Sequence, residues 1–293
     1  MNIAIYGKHF TSEFDSAIRD LLQLLRTRNH RVTIYEPFTT FLQYRDLLFD
    51  PSQFAVFSDY TGVADCDVCI SIGGDGTLLD TASLIRDSNV PVLGINTGRL
   101  GFLSNISTEK IEDAIDTLEA GKYTIDNRSL IQVEAEGVLL GDFPFALNEV
   151  TIHKKDRSSM VKVHAYMEDQ FINTYWADGL IVATPTGSKA YSLSCGGPIV
   201  MPGSENFILT PIAPHNLNVR PLVVPCNRCI RLCADGREED YLLTLDSRSF
   251  TISAKDEVKL TSATFELKLL NLPSQHFFQT IRNKMLWGID KRN

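Results

Sequence analysis

The stretch Val68-Cys69-Ile70-Ser71-Ile72-Gly73-Gly74-Asp75-Gly76-Thr77 decides how this sequence folds. Its first five residues form an apolar run with the length of a buried strand, and residues 78–85 have helical character. The glycines between them predict a tight turn from strand to helix. In open α/β sheets ligands bind at such turns, where glycine lets backbone N–H groups approach phosphate oxygens. Asp75 is either a simple helix cap or, as three glycines around one carboxylate favour, a general base or a magnesium-linked ligand.

The pattern around this stretch predicts a Rossmann-like parallel sheet with helices on both faces. Strands are predicted at residues 2–6, 32–35, 68–72 and 92–95, and amphipathic helices at residues 12–28 and 111–118. Pro37 and Pro51 are expected to break any helix between residues 38 and 58.

The spacing of apolar residues along the sequence changes beyond about Tyr123. Apolar Val161, Val163 and Ala165 alternate with polar neighbours, as in a half-buried strand. Further strands are predicted at residues 171–175, 180–183, 222–224, 241–245, 250–253 and 265–270, and residues 277–286 return to helical spacing. The sequence therefore predicts an α/β domain at residues 1–122, an antiparallel β domain at 123–272, and a helical tail at 273–293 that returns to the first domain.

The composition and net charge of the chain argue against several classes of function. The 293 residues are 44% apolar and 22% charged, as in globular proteins, and the net charge of −8 argues against a broad nucleic-acid-binding face. No apolar run reaches the length of a membrane span, and the N-terminal residues lack signal-peptide features, so we expect a cytoplasmic protein with no membrane partner.

Six cysteines include two Cys-x-x-Cys pairs, Cys66/Cys69 and Cys226/Cys229, a spacing that could hold zinc. Structural zinc pairs usually lie on tight turns, whereas these pairs adjoin predicted strands. We therefore expect buried free thiols and no bound metal.

A second polar cluster spans residues 177–191. A strand ends in Thr184-Pro185-Thr186-Gly187-Ser188, and a short helix follows. A hydroxyl-rich loop with a nearby aromatic residue is suited to binding adenosine, although an ordinary turn would have the same sequence pattern. Asn148-Glu149 adds an amide and a carboxylate just before another strand.

Together these segments resemble one family, the ATP-dependent NAD kinases, over nearly the whole chain. The segments that carry the resemblance are Gly73-Gly74-Asp75-Gly76-Thr77, residues 96–103, Asn148-Glu149, residues 178–194, Pro214-His215 and Arg220-Pro221-Leu222. The Gly-Gly-Asp-Gly element is shared with diacylglycerol and sphingosine kinases and, more loosely, with phosphofructokinases. The Asn-Glu and Thr-Pro-Thr-Gly segments are what point to NAD kinases.

The resemblance implies transfer of the ATP γ-phosphoryl group to the 2′-hydroxyl of the adenosine ribose of NAD, with Mg²⁺ carried by the nucleotide. It also implies a homodimer or homotetramer. It assigns catalysis to Asp75, and phosphate binding to Gly73, Gly74, Gly76 and Thr77. It assigns NAD binding to Asp75, Gly76, Asn148, Glu149, Asp178, Thr186, Lys189, Ala190, Tyr191, Ser192, Leu193, Ser194 and Ala213.

Two residues depart from the family pattern. Lys189 stands where the family commonly has threonine, and Arg248 where some members have glutamine. Lys189 either pairs with an anion, Glu149 or a nucleotide phosphate, or is a solvated surface lysine.

Two other functions fit the same scaffold. A lipid kinase of the diacylglycerol type would need an apolar acyl tunnel, whereas Asn148, Glu149, Asp178 and Thr186 suit a polar dinucleotide. A catalytically inactive nucleotide-binding regulator is disfavoured by the intact Gly-Gly-Asp-Gly element.

Overall fold

The structure is a computed structural model that describes residues 1–48, 50–98, 101–155, 160–236, 238–273 and 277–285. It divides into two compact units, residues 1–126 with 268–293 and residues 127–267. Within the described residues no helix is both long and apolar enough to cross a membrane.

Eighteen strands and six helices are formed by the described residues. The strands are β1 Asn2–Gly7, β2 Arg31–Tyr35, β3 Ala55–Phe57, β4 Val68–Ile72, β5 Val92–Asn96, β6 Ile106–Ser107, β7 Thr124–Ala135, β8 Phe145–Ala146, β9 Glu149–Lys154, β10 Val161–Met167, β11 Gln170–Ala177, β12 Gly179–Ala183, β13 Asn206–Ile212, β14 Leu222–Pro225, β15 Ile230–Asp235, β16 Asp240–Leu245, β17 Arg248–Ser253 and β18 Glu257–Asn271. The helices are α1 Asp15–Thr27, α2 Glu36–Tyr44, α3 Asp75–Ile85, α4 Ile111–Glu119, α5 Tyr191–Ser194 and α6 Phe277–Met285.

The first unit is built on a parallel sheet in the order β3-β2-β1-β4-β5. The end of β18 and the short β6 also pair in parallel with β5. From β1 the chain proceeds outward to β2 and β3, and from β4 it proceeds to β5 in the opposite direction. The turn after β4 therefore lies at a topological switch point, the place where open α/β sheets bind ligands.

The second unit is antiparallel β structure. One sheet has the order β14-β13-β12-β9-β16-β17, and β11, β10, β15 and β18 pair in that order in the other. Apolar side chains of both sheets share one buried core that includes Val163, Val182 and Leu243. The register places Asn148-Glu149, at the start of β9, beside the ends of β12 and β16.

The fold class predicted from the sequence is confirmed: a parallel α/β unit, an antiparallel β unit and a C-terminal helix. The expectation that Pro37 interrupts a helix is wrong. Pro37 lies in the first turn of α2, where its missing N–H would have no intrahelical partner in any case. Residue 286, included in the predicted tail helix, lies outside the described residues.

Candidate functional site

The glycine-rich turn in the first unit connects β4 to α3. Gly73 has a φ of +152°, a conformation that L side chains rarely adopt, and a Cβ there would overlap the side chain of Thr77. Gly74 caps the helix and Asp75 is its first residue. The predicted phosphate-binding residues Gly73, Gly74, Gly76 and Thr77 thus surround the N-terminus of an 11-residue helix, where unpaired backbone N–H groups attract anions.

Asp75 is held by a segment 27 to 29 residues further along the chain. Its Oδ2 accepts a hydrogen bond from the backbone N–H of Phe102 at 2.7 Å, and its Oδ1 accepts from Leu103 at 3.0 Å and Ser104 at 2.9 Å. The segment approaches so closely that a Cβ on Gly101 would overlap the carboxylate. Since a carboxylate has about four acceptor positions, Oδ2 retains one that no described residue fills.

Asn96 organises the same segment from the end of β5. It is buried, its Nδ2 donates to the Ser104 carbonyl at 3.1 Å, and its Oδ1 accepts from the Gly98 N–H at 2.8 Å. Arg99 and Leu100, which belong to the motif at 96–103, lie outside the described residues.

In the second unit Asp246 holds the Asn148-Glu149 segment in the same manner. Its Oδ2 accepts from the Leu147 N–H at 2.8 Å, and its Oδ1 accepts from Asn148 at 2.8 Å and Glu149 at 3.1 Å. The Asp246 N–H donates in return to the Glu149 carbonyl at 3.0 Å. Asp246 has a φ of +52°, which turns the chain sharply between β16 and β17.

Arg248, the second departure from the family pattern, supports the approach to this segment. Its guanidinium donates to the carbonyls of Phe143 and Phe145 and lies 5.2 Å from the centroid of the Phe143 ring. A glutamine could not supply this two-pronged, charged donor.

Glu149 is a buried acid whose pKa is shifted far from its ordinary value. Burial, followed by the charge of Asp246, raises its pKa to about 8, although the backbone N–H of Tyr191 favours the ionised form. Its Oε2 is buried and has no hydrogen-bond partner among the described residues. A carboxyl group with this pKa stays protonated at neutral pH and can donate a hydrogen bond to a ligand.

The Thr-Pro-Thr-Gly-Ser loop packs directly on Asn148. Thr184 donates from Oγ1 to the Leu147 carbonyl at 2.6 Å and from its N–H to the Asn148 carbonyl at 2.9 Å. Ser188 is fully buried, and its Oγ accepts from the Val200 N–H at 3.1 Å. The hydroxyls of Thr184 and Ser188 therefore form hydrogen bonds that hold the loop in place. Thr186 is also buried, and its Oγ1 accepts a hydrogen bond from Arg128.

Lys189 is not the solvated surface lysine of the second alternative. It is 9% exposed, and its Nζ donates to the Pro185 carbonyl at 2.9 Å. The side chain folds back along its own turn, so that part of the ammonium is satisfied by the loop that precedes it.

The remaining predicted residues of this unit follow β12 or adjoin its ends. Tyr191 is 40% exposed at the start of α5, and Ser192 is buried with its Oγ 2.8 Å from Thr210 Oγ1. Asp178 pairs with Lys154 at 2.5 Å, and Ala213 has a φ of +45°. Ala190, Leu193 and Ser194 are half-buried, half-buried and exposed, respectively.

Each unit thus brings its own predicted residues together: the residues at 73–77 in the first, and Asn148, Glu149 and residues 186–194 in the second. Sequence reasoning missed Asp246. The only signal for it is a lone Asp-Ser-Arg turn, whose contact with residues 147–149 depends on the pairing of β9 with β16.

All six cysteines are free thiols, but only Cys69 is fully buried. The prediction of burial is wrong for the other five, which are half-buried beside strands and turns. Burial raises the pKa of Cys69. Among the described residues no group of three or more His, Cys, Asp and Glu could hold a metal ion.

Comparison with known proteins covers both units. The ATP-NAD kinase N-terminal domain matches residues 13–123, and the ATP-NAD kinase C-terminal domain matches residues 147–272. An NAD kinase of Cytophaga hutchinsonii is 43% identical over 293 residues, covering 100% of both chains.

Two solved structures share the fold. A yeast NADH kinase complexed with NADH superposes with a TM-score of 0.87 at 21% identity, covering 99% of this chain and 88% of that one. An NAD kinase from Archaeoglobus fulgidus in complex with ATP gives 0.71 at 24% identity, covering 98% and 99%. With two family domains matched and a full-length relative at 43% identity, the chain belongs to the ATP-NAD kinase family.

Proposed function

We propose that this chain transfers the terminal phosphoryl group of ATP to the 2′-hydroxyl of the adenosine ribose of NAD, producing NADP and ADP, with Asp75 as the general base. A bond forms between the 2′-oxygen and the γ-phosphorus, and the bond from that phosphorus to the β,γ-bridging oxygen breaks. ADP leaves with the electron pair, and the hydroxyl proton passes to Asp75. Family membership and the relatives at 38–43% identity support the reaction.

The observation that carries the role of Asp75 is its hydrogen bonding. Three backbone amides fix the carboxylate at the N-terminus of α3 and leave one acceptor position, on Oδ2, that no described residue fills. A general base must be within hydrogen-bond reach of its proton, and a rotationally fixed carboxylate meets this requirement at a single atom. Oδ2 is therefore the atom that receives the proton, while Gly73, Gly74, Gly76 and Thr77 bind the phosphates through the helix N-terminus.

NAD is bound by the residues gathered around Asn148. Glu149, protonated at neutral pH, donates a hydrogen bond to the adenosine portion, and Asn148 supplies an amide beside it. Residues 189–194 cradle the adenine, with Tyr191 offering an exposed ring for stacking. Thr186 supports this loop, and Asp178 and Ala213 contact the nicotinamide end.

Mg²⁺ enters with the nucleotide. Asp75 is the one carboxylate of the glycine-rich turn, and the described residues offer no cage of acidic ligands, which fits an ion held mainly by phosphate oxygens and water. When bound, the ion neutralises charge on the transferring phosphate. We further propose a homodimer or homotetramer working in the cytoplasm, where six free thiols remain reduced.

A coupled assay for NADP formed from NAD, ATP and Mg²⁺ tests the reaction, with diacylglycerol as the competing acceptor. Asp75→Asn should lower kcat by about 10²–10⁴-fold, the usual contribution of a general base, and leave the Kd for NAD within threefold. Asp116→Asn, at a surface carboxylate paired with Arg28, is the matched control and should match the wild type. Transfer to diacylglycerol but not NAD, or an Asp75→Asn enzyme retaining a tenth of wild-type kcat, would contradict the proposal.

A further inference from the structure

The C-terminal helix α6 brings a cation to the glycine-rich turn. The helix belongs to the first unit, its buried residue is Ile281, and Lys284, three residues later, lies on the same helix face. The Lys284 Nζ lies 5.0 Å from the centroid of the Phe102 ring. Phe102 is the residue whose backbone N–H binds Oδ2 of Asp75.

Among the residues that the structure describes, none is a conventional partner for the charge of Lys284. Among the described residues it forms no salt bridge within 4 Å and donates no hydrogen bond, and its ammonium lies over the Phe102 ring and is influenced by the charge of Asp75. Partial burial lowers the pKa of its ammonium, and the Asp75 carboxylate raises it. An ammonium that has lost part of its hydration beside an aromatic face, and whose three donors bond to no described residue, is ready to bind an anion.

The position of the cation identifies the anion. Asp75 Oδ2 is where the proposed proton transfer takes place, so a phosphoryl group moving to the neighbouring hydroxyl passes close to the ammonium. Phosphoryl transfer is catalysed mainly by positioning and by neutralising charge on that group. We propose that Lys284 binds the phosphoryl group that is transferred: the γ-phosphate of ATP before the reaction and the 2′-phosphate of NADP after it.

This inference rests on the proposed function, because it uses that reaction to place the phosphate. It differs from it in what it predicts. The ammonium should discriminate ligands that carry the transferred group from ligands that lack it: ATP from ADP, and NADP from NAD. That discrimination can be measured at equilibrium, without turnover.

The experiment measures Kd by calorimetry for MgATP, MgADP, NADP and NAD with the full chain and with Lys284→Met. Loss of one charged hydrogen bond should weaken MgATP and NADP by about 10- to 100-fold and leave MgADP and NAD within threefold. Arg282→Met is the matched control: it removes a cation of the same helix that is exposed and bonded to Gln279 at 2.7 Å, and it should leave all four constants unchanged.

Lys284→Arg separates charge from packing and should retain the preference for MgATP over MgADP. If Lys284→Met lowers the melting temperature by more than about 5 °C, Lys284→Gln, which has a polar but uncharged end group, replaces it in the comparison. An unchanged ratio of MgATP to MgADP affinity in Lys284→Met, or in Lys284→Gln where it replaces Lys284→Met, or equal weakening of all four ligands, would overturn the role of Lys284. Failure of the wild type to form NADP would instead overturn the proposed function.

Discussion

Asp246→Asn tests whether the Asn148-Glu149 segment depends on a distant carboxylate. The carboxylate accepts three backbone hydrogen bonds from residues 147–149, at 2.8, 2.8 and 3.1 Å. An asparagine of the same shape has one oxygen, so it can keep at most two of these bonds, and its NH₂ group then faces a third N–H donor.

The magnitude follows from those three bonds. A hydrogen bond to a charged group contributes about 1.5–3 kcal/mol net, and a buried donor left unpaired costs about 1–3 kcal/mol. Burial disfavours the charged form of Asp246 and so raises its pKa. Replacing it with the neutral asparagine removes this desolvation cost, which offsets part of the loss. We expect the free energy of unfolding to fall by about 2 kcal/mol, or about 4–8 °C in melting temperature.

Among the kinetic constants, Asp246→Asn should change those for NAD and leave the KM for ATP nearly unchanged. Displacing a substrate-positioning group by about 1 Å can cost about 10²-fold, so kcat/KM for NAD should fall about 10- to 100-fold while KM for ATP stays within twofold. Both are measured by the coupled NADP assay, with melting followed by calorimetry.

Asp256→Asn is the matched control. Asp256 accepts from the Ser253 N–H at 2.7 Å in the turn between β17 and β18 and has no part in the Asn148 segment. It should lower stability modestly and leave both KM values unchanged. A kcat/KM for NAD within twofold of wild type in Asp246→Asn, or an equal change in Asp256→Asn, would refute the reasoning.

Three further predictions follow from the same contacts. The folded-state pKa of Glu149, about 8, exceeds the ordinary 4.5, so the folded protein binds more protons between these values, and its stability should fall by at most about 1.4 kcal/mol per pH unit as pH rises through that window. The melting temperature of Glu149→Gln should therefore vary less with pH than that of the wild type, and equal slopes for the two proteins would exclude Glu149 as the source. Gly101→Ala should displace the Asp75 carboxylate, because the added Cβ would overlap it, and should lower kcat at least tenfold and the free energy of unfolding by about 1–3 kcal/mol. An unchanged kcat in the coupled assay would show that the segment around Gly101 moves aside without displacing Asp75. Lys189→Thr should lower the melting temperature by several degrees, because the buried side chain and its bond to Pro185 are lost, and a melting curve like that of the wild type would contradict this.

The sequence by itself determined the fold class and the identity of the glycine-rich turn. An apolar run, three glycines and a helical stretch are neighbours along the chain, so the strand β4, the turn and the helix α3 follow from local periodicity and backbone preferences. The alternation of residues 161–167 likewise predicted β10, because period-two burial is a property of each strand alone.

Only the tertiary structure decided which distant groups meet. The contact of Asp75 with residues 102–104 depends on how β4 and β5 pair, and that of Asp246 with residues 147–149 spans 97 to 99 positions and depends on the register of β9 and β16. The burial of Lys189 and the approach of Lys284 to Phe102 have the same origin. Periodicity reports which face of an element is buried, whereas these contacts depend on which elements are neighbours, a property of the packed chain that no local pattern records.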